Sequence, residues 1–227
     1  GQTISIPVGQ TTANSAAFAV RADNVYTDAN QNLSVSISGT PTGGNYEALT
    51  TTGTITNTVV DDADATTVTL TASAASVAEG ASVTYTATVA NAVTGTPLVV
   101  TLDNGSTITI AVGQTTANSA AVIVRADDVY NQGTTNVVRS ITGTTGGNYE
   151  ALTTTSTVST TVTEDADATT VTLSSATAGS NVTEGGSIVY TATVSSAVTG
   201  TPLLVTLSNG QTISIPVGQT TANSAAF

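Results

Sequence analysis

The chain has 227 residues, a net charge of -12, only three basic side chains, and no Cys, Met, Trp or His. Without a thiolate or an imidazole it cannot form a cysteine nucleophile, a zinc–thiolate site, a disulfide or a histidine base. Three arginines cannot build a phosphate-binding surface, and an anionic membrane repels an acidic chain. We therefore expect no nucleic-acid partner, and no direct membrane insertion because no apolar run reaches the length of a membrane span.

Internal repetition is the strongest feature of the sequence. The string VGQTTANSAA occurs three times, and GGNYEALTTT occurs twice. Matching positions lie 103 to 105 residues apart, so one repeat has about 104 residues, the size of an independent β-sandwich domain. Residues 1–18 recur unchanged as residues 210–227. The pattern predicts a tandem array of near-identical units.

Two acidic segments, residues 60–65 and 163–168, mark the predicted unit boundaries. In chain order, residues 1–64 correspond to the C-terminal half of a repeat, residues 65–164 to a complete repeat, and residues 165–227 to the N-terminal half of the next. A half-sandwich exposes its inner face and its strand edges. Either the chain is a window on a longer array, which we favour, or the halves of neighbouring molecules complement each other. The intact mass of the protein distinguishes the two.

The complete repeat predicts seven strands, because apolar and polar residues alternate between turns rich in Gly, Asn and Asp. Val, Ile and Thr dominate these segments, and β-branched residues favour extended backbone. The predicted strands cover residues 68–70, 83–89, 98–102, 108–112, 122–125, 136–142 and 157–164. The fold class is therefore all-β, with tandem immunoglobulin-like β-sandwiches joined end to end by short acidic linkers. Tyr85 and its match Tyr190 are expected to be core aromatics.

Most carboxylates of the complete repeat are predicted to lie at one end of the sandwich. When the strands are threaded up and down, the loops at the end nearest the next repeat carry every acidic residue of the unit except Glu150. Such crowding is unfavourable without a counter-charge, and Arg125 alone cannot neutralise the group. Oxygen ligands favour a hard divalent cation, and the loose geometry of calcium suits ligands from several loops better than the octahedron of magnesium.

The repeat itself helps to select ligand candidates. Asp103 is replaced by Ser208 in the next repeat, so it is not expected to be a ligand. The candidates of the complete repeat and its closing linker are Glu79, Asp127, Asp128, Glu164, Asp165 and Asp167. Their counterparts in the flanking units are Asp23, Asp61, Asp62, Asp64 and Glu184. A structural calcium ion at each joint is the favoured interpretation, and solvated acidic loops without a metal are the alternative.

Several short motifs together resemble a known family. They are Val77-Ala-Glu-Gly80 before a Thr-rich strand, then Val112-Gly-Gln-Thr115, then Arg125-Ala-Asp-Asp-Val-Tyr130, and finally the acidic linker. This order resembles the Calx-beta-like pattern, and the whole chain more closely resembles the LapA-like extender repeats of giant RTX-type biofilm adhesins. The glycine-rich calcium nonapeptides of RTX regions are absent, as is any retention or ligand-binding module.

The resemblance implies a bacterial cell-surface protein, exported by type I secretion, whose tandem sandwiches are stiffened by calcium. On the family pattern, the matching ligands are Glu79, Asp127, Glu164, Asp165 and Asp167, with Asp128 as a further candidate. The expected partners are adjacent repeats of the same long chain, and neighbouring adhesin molecules are a further candidate.

We expect an extracellular structural extender that projects distal binding modules for surface attachment and biofilm formation. One alternative is a carbohydrate- or protein-binding module, for which Tyr46 and Tyr149 are the available aromatics, and a glycan array would test it. Another is a subunit of a self-assembling surface filament. An enzyme is not expected, because paired carboxylates on loops beside a linker offer no substrate cleft.

Overall fold

The computed structural model describes residues 1–227 and contains β-strands but no helix. Consequently no helix is present that is long and apolar enough to span a bilayer. The Val-, Ile- and Thr-rich segments adopt extended backbone, as their β-branched side chains favour. The prediction of an all-β chain is confirmed. The immunoglobulin-like topology stays a prediction.

Strands are distributed unevenly among the three predicted segments. Residues 1–64 contain β1 (Gln31–Ser36) and β2 (Thr54–Val59). Residues 65–164 contain β3 (Ala65–Thr67), β4 (Thr69–Ala72), β5 (Ser76–Ala78), β6 (Ser82–Val83), β7 (Tyr85–Thr88), β8 (Leu98–Leu102), β9 (Thr107–Ile110), β10 (Thr116–Asn118), β11 (Val122–Ile123), β12 (Thr135–Thr145), β13 (Ala151–Thr153) and β14 (Thr157–Thr163). Residues 165–227 contain β15 (Val171–Ser175), β16 (Tyr190–Val194), β17 (Leu203–Thr206), β18 (Thr212–Ile215) and β19 (Thr221–Asn223).

Strands occur at all seven positions predicted in the complete repeat, and β8 has the predicted bounds. The second predicted strand, 83–89, is interrupted at Thr84, which separates β6 from β7. The short strands β3, β5, β10 and β13 were not predicted, because three residues are too few for an alternation pattern to be recognised.

The chain forms two compact units. Unit 1 comprises Gly1–Thr71, Tyr85–Ala120 and Arg139–Val158, and unit 2 comprises Ala72–Thr84, Ala121–Val138 and Ser159–Phe227. These units do not follow the predicted repeat boundaries, which remain predictions. Each unit contains one of the two acidic linkers together with residues that precede and follow it.

In unit 1, β1 pairs with β2, β7 lies between β4 and β10, and β8 lies between β9 and the Ile141–Thr145 part of β12. A parallel pair joins β3 to β13. The apolar side chains alternate along β8, where Leu98, Val100 and Leu102 are buried, as the two-residue period of a strand requires. Tyr85 is fully buried in this unit, which confirms it as a core aromatic.

In unit 2, β6 pairs with β11, and Thr161–Thr163 of β14 pairs in parallel with β5. Further along the chain, β16 lies between β15 and β19, and β17 pairs with β18. Four buried residues, Ala192, Val194, Ile213 and Ile215, form a small core. Tyr190 packs against this core while remaining partly exposed.

Candidate metal centre

Strand pairing in unit 2 positions a group of carboxylates that we call the second joint, formed by residue 79, the loop 125–132 and the linker 164–167. Because β5 and β14 run parallel, Glu79 and Glu164, which directly follow them, leave the sheet at the same edge. The Glu79 N–H donates to the carbonyl oxygen of Thr163 at 3.0 Å. The Gly80 N–H donates to the carbonyl oxygen of Arg125 at 2.9 Å, which brings the loop to the same place.

Glu79, Asp127 and Asp165 each offer one carboxylate oxygen, and the three oxygens lie within 4.8 Å of one another. Glu79 is only 4% exposed, and neither of its carboxylate oxygens accepts a hydrogen bond. Asp127 and Asp165 are exposed, so the group opens to solvent on one side. A buried carboxylate without hydrogen-bond donors is costly, and buried charges are usually paired with an opposite charge or bound to a metal ion.

One guanidinium lies among these acids. Arg125 Nη2 is 3.1 Å from Glu79 Oε2 and 3.2 Å from Glu164 Oε2, while its Nη1 donates to the carbonyl oxygen of Gly133 at 2.9 Å. The nearby Glu164 carboxyl, with which a protonated Glu79 shares a hydrogen bond, raises the pKa of Glu79 to about 7, and burial adds to this. The pKa of Glu164 is correspondingly lowered by Glu79. Arg125 therefore offsets only part of the repulsion between the two carboxylates.

The remaining predicted ligands of this joint have different surroundings. Glu164 Oε2 accepts from the Gln132 N–H at 2.8 Å, and Asp128 Oδ1 accepts from the Tyr130 N–H at 2.8 Å, so both carboxylates shape the loop 125–132. Asp167 is exposed, and the charge of Asp127 is the main cause that raises its pKa, followed by burial and other nearby acids. Glu164, Asp128 and Asp167 thus surround the group of three without belonging to it.

The first joint, formed by the loop 21–28, the linker 61–64 and Glu150 in unit 1, repeats this arrangement. Asp23, Asp62 and Asp64 bring one carboxylate oxygen each to within 4.8 Å of one another. The charges of Asp62 and Asp64 raise the pKa of Asp23. By repeat position Asp23 matches Asp127, and Asp62 matches Asp165. The same loop-to-linker pair of aspartates therefore recurs at both joints.

The arginine contact recurs as well. Arg21 Nη2 is 2.8 Å from Asp61 Oδ1, and the Asp28 N–H donates to Asp61 Oδ2 at 2.8 Å. Asp61 thus holds an arginine and a loop amide, as Glu164 does at the second joint. The structure places Asp61 beside the group of three aspartates rather than in it.

Two glutamates lie elsewhere than the sequence predicts: Glu184, which was a candidate ligand, and Glu150, which was not. Glu184, the match of Glu79, is exposed and belongs to neither group. Glu150 was assigned to the opposite pole of its repeat, and the structure shows that this pole adjoins the first joint: the Asp64 N–H donates to Glu150 Oε2. That hydrogen bond lowers the pKa of Glu150, but burial and the charges of Asp61, Asp64 and Asp62 outweigh it, so the pKa is raised.

The donor set fits a hard cation. Every candidate ligand is a carboxylate, and calcium takes six to eight oxygens at about 2.3–2.6 Å, so two oxygens on one ion lie at most about 5 Å apart. The oxygens of both groups meet this limit. The buried Oε1 atoms of Glu79 and Glu150, which accept no hydrogen bond, are further available donors. Calcium, when bound, would supply the positive charge that one arginine per joint does not.

An all-β array of near-identical repeats with acidic joints defines a class of structural, tandem-repeat proteins. A family model described as the LapA domain matches residues 1–63, 64–166 and 167–227, and the chain belongs to this family. No curated protein matches the chain. The LapA family is structural rather than enzymatic, and it identifies the chain as a biofilm-adhesin-related extender of a cell-surface protein. The Calx-beta-like pattern stays a resemblance.

Proposed function

We propose that the chain is a calcium-stiffened extender segment of an extracellular bacterial adhesin of the RTX type, exported by type I secretion, that projects distal binding modules from the cell. The observation that carries this proposal is the recurrence of a three-carboxylate group at the corresponding place in both joints. Family membership supports the adhesin part of the proposal. The geometry and charge of the joints support the calcium part.

The charge balance of each joint favours a cation. Each joint contains six carboxylates but one guanidinium, which contacts two of them. At the first joint these are Asp23, Asp28, Asp61, Asp62, Asp64 and Glu150 around Arg21. At the second joint they are Glu79, Asp127, Asp128, Glu164, Asp165 and Asp167 around Arg125. The carboxylate oxygens of each group of three lie within 4.8 Å of one another and therefore repel each other. A divalent cation relieves this repulsion without displacing the arginine.

The mechanism follows from which segments the carboxylates belong to. Each group combines an aspartate of a loop, Asp23 or Asp127, with at least one aspartate of the linker that joins two repeats. Holding these side chains together fixes the linker torsions, which otherwise permit relative motion of neighbouring domains. The residues of the chain therefore convert a flexible linker into a stiff one when their charges are neutralised.

Calcium concentration would then control stiffness. Extracellular calcium modules bind with dissociation constants of about 0.1 to 1 mM. Millimolar calcium outside the cell would load such joints, whereas submicromolar calcium in the cytosol would leave them flexible during export. The expected partners are adjacent repeats of the same chain, and neighbouring adhesin molecules are further candidates.

Small-angle X-ray scattering of the 227-residue chain tests the proposal. We expect a larger maximum dimension and less flexibility in 5 mM CaCl₂ (about five times the weakest dissociation constant expected) than in chelator. Magnesium at the same concentration is the control, since it prefers a tighter octahedron. An identical maximum dimension with calcium and with chelator would contradict calcium stiffening while leaving family membership intact.

A further inference from the structure

Uncharged contacts also join the two sides of the first joint. The hydroxyl of Tyr26, in the loop 21–28, donates across the joint to the carbonyl oxygen of Ala92 at 2.6 Å. Within the following repeat, the hydroxyl of Tyr149 donates to the carbonyl oxygen of Asn91 at 2.7 Å, which holds the Tyr149 turn in place. The two tyrosine rings pack with centroids 5.5 Å apart. Burial, with Tyr26 beside it, raises the pKa of the Tyr149 phenol, so Tyr149 remains a neutral donor.

A short antiparallel bridge between Tyr26 and Tyr149 adds backbone hydrogen bonds. The Thr27 N–H donates to the carbonyl oxygen of Asn148 at 2.9 Å, and the Glu150 N–H donates to the carbonyl oxygen of Val25 at 3.2 Å. The Asn148 side-chain amide donates to the carbonyl oxygen of Thr27 at 3.1 Å. None of these bonds uses a carboxylate, so none of them requires a cation.

The hydrogen bond from the Tyr26 hydroxyl has a counterpart at the second joint. The Tyr130 hydroxyl donates to the carbonyl oxygen of Ala197 at 2.8 Å, and by repeat position Tyr130 matches Tyr26 while Ala197 matches Ala92. Both loops are shaped in advance by the same local turn. The N–H of Tyr26 donates to Asn24 Oδ1, and the N–H of Tyr130 donates to Asp128 Oδ1, each at 2.8 Å.

The partner turn is also shaped before docking. In the turn 146–150, Gly147 has φ of 70°, and a Cβ placed there would lie 3.0 Å from the Tyr149 ring. The matching turn 43–47 has no docked loop, and its Tyr46 is 71% exposed. Yet Gly44 has φ of 72°, and a Cβ there would lie 2.7 Å from the Tyr46 ring. The glycine therefore permits the same tyrosine placement in the docked and the undocked copy.

We infer that each joint carries a second, cation-independent docking surface, in which the tyrosine loop of one repeat binds the following repeat. At the first joint its receptor consists of the Ala92 carbonyl and the turn 146–150, which the Tyr149–Asn91 hydrogen bond holds within the same repeat. The surface fixes how consecutive repeats are oriented, and calcium stiffens a joint that is already docked. The inference rests on the repeat organisation and does not depend on calcium binding.

Amide hydrogen exchange of the full chain, measured by NMR, tests this inference, because the N–H groups of Thr27 and Glu150 are bonded only across the docked contact. In chelator, we expect both amides of the unmodified chain to remain protected. Tyr26→Phe removes a hydrogen bond across the joint and should lower that protection about fivefold. Tyr149→Phe removes the bond that holds the receptor turn within its own repeat and should lower the protection less.

Tyr46→Phe is the matched control, because it makes the same chemical change in the undocked turn, and it should leave both amides unchanged. The Ser119 N–H, which donates to the carbonyl oxygen of Tyr85 at 2.8 Å, reports whether each variant is folded. Loss of protection at Thr27 and Glu150 of the unmodified chain in chelator would overturn the inference. Unchanged protection in Tyr26→Phe would overturn it as well. Absence of calcium binding would contradict the proposed function but not this docking surface.

Discussion

The two joints share one core arrangement and differ in the carboxylate that completes it. Both pair a loop aspartate with a linker aspartate, Asp23 with Asp62 and Asp127 with Asp165. At the second joint the third carboxylate is Glu79, which precedes the linker in the chain and is buried, whereas at the first joint it is Asp64 of the linker itself. Glu150, which follows the first linker, contacts that joint through the Asp64 amide.

The difference shows that a joint can draw carboxylates from both of the repeats it connects. Glu79 reaches the aspartate pair of the second joint from the preceding repeat, whereas Glu150 bonds the Asp64 amide of the first joint from the following repeat. We therefore expect the recurring pair to be the common part of the two calcium sites, with the flanking glutamates adding charge and burial. The second joint, with its buried Glu79, should bind calcium more tightly than the first, because charge count and rigidity set affinity.

The largest expected effect is on calcium binding at the second joint. Glu79→Gln removes the buried carboxylate and should weaken calcium binding there at least about tenfold, while binding at the first joint is unchanged. The amide shifts of Asp127 and Asp23 during a calcium titration followed by NMR report the two joints separately. Glu184→Gln, at the matching exposed position, is the control. Equal effects of the two substitutions would remove the distinction between the joints.

A smaller effect is expected from Gly80→Ala. Gly80 has φ of 71°, and an added Cβ would lie 2.9 Å from Asp127 Cβ, so the substitution must displace a candidate ligand of the second joint. Gly185, the matching residue, has φ of 80° and nothing within 4 Å of an added Cβ. Both alanines incur a left-handed backbone cost of about 1–2 kcal/mol, but only Gly80→Ala should reduce calcium affinity at the second joint, by a few-fold. The same titration provides the measurement, and equal affinities for the two variants would show that Asp127 need not be held in place.

The smallest effect is a pH dependence of stability without calcium. The pKa of Glu79 is raised from 4.5 to about 7 in the folded chain, so the unfolded chain loses this proton first as the pH increases. In chelator, stability should therefore fall between pH 4.5 and 7. The lowered pKa of Glu164 has the opposite effect, because it makes stability rise with pH, and it does so only below the ordinary glutamate pKa of 4.5. Thermal unfolding across this range should show the decline in the unmodified chain and a weaker one in Glu79→Gln. A midpoint that rises with pH would refute the assignment.

The fold was largely predictable because strand alternation and the repeat are both visible in the sequence. Whether a given copy of a repeated segment forms a strand was not predictable, as two identical segments show. Residues 210–227 form β18 and β19, and Ile213 and Ile215 are fully buried because β17 pairs with β18. Residues 1–18 form no strand, and the matching Ile4 and Ile6 are 53% and 55% exposed. Pairing with a neighbouring strand, rather than intrinsic propensity, decides the outcome.

The candidate site was predictable in composition but not in its division of roles. The recurrence of acids in the repeat identified Asp23, Asp127 and Glu79, yet it could not separate these from Asp61 and Glu164, which bond a loop amide as well as an arginine. Contacts across a joint involve residues of different repeats, so neither Glu150 nor Tyr26 stands out within a single repeat. The available signals were the repeated Gly-Gly-Asn-Tyr-Glu turn for Glu150 and the segment 21–26, which recurs with one change as 125–130, for Tyr26.

Calorimetric titration of the 227-residue chain with CaCl₂ is the most direct test of calcium binding at the joints. The account predicts saturable binding of at least one ion per joint, with dissociation constants of about 0.1 to 1 mM or tighter and little competition from equal magnesium. A chain that is folded by the Ser119 amide but takes up no calcium at millimolar concentration would contradict the account.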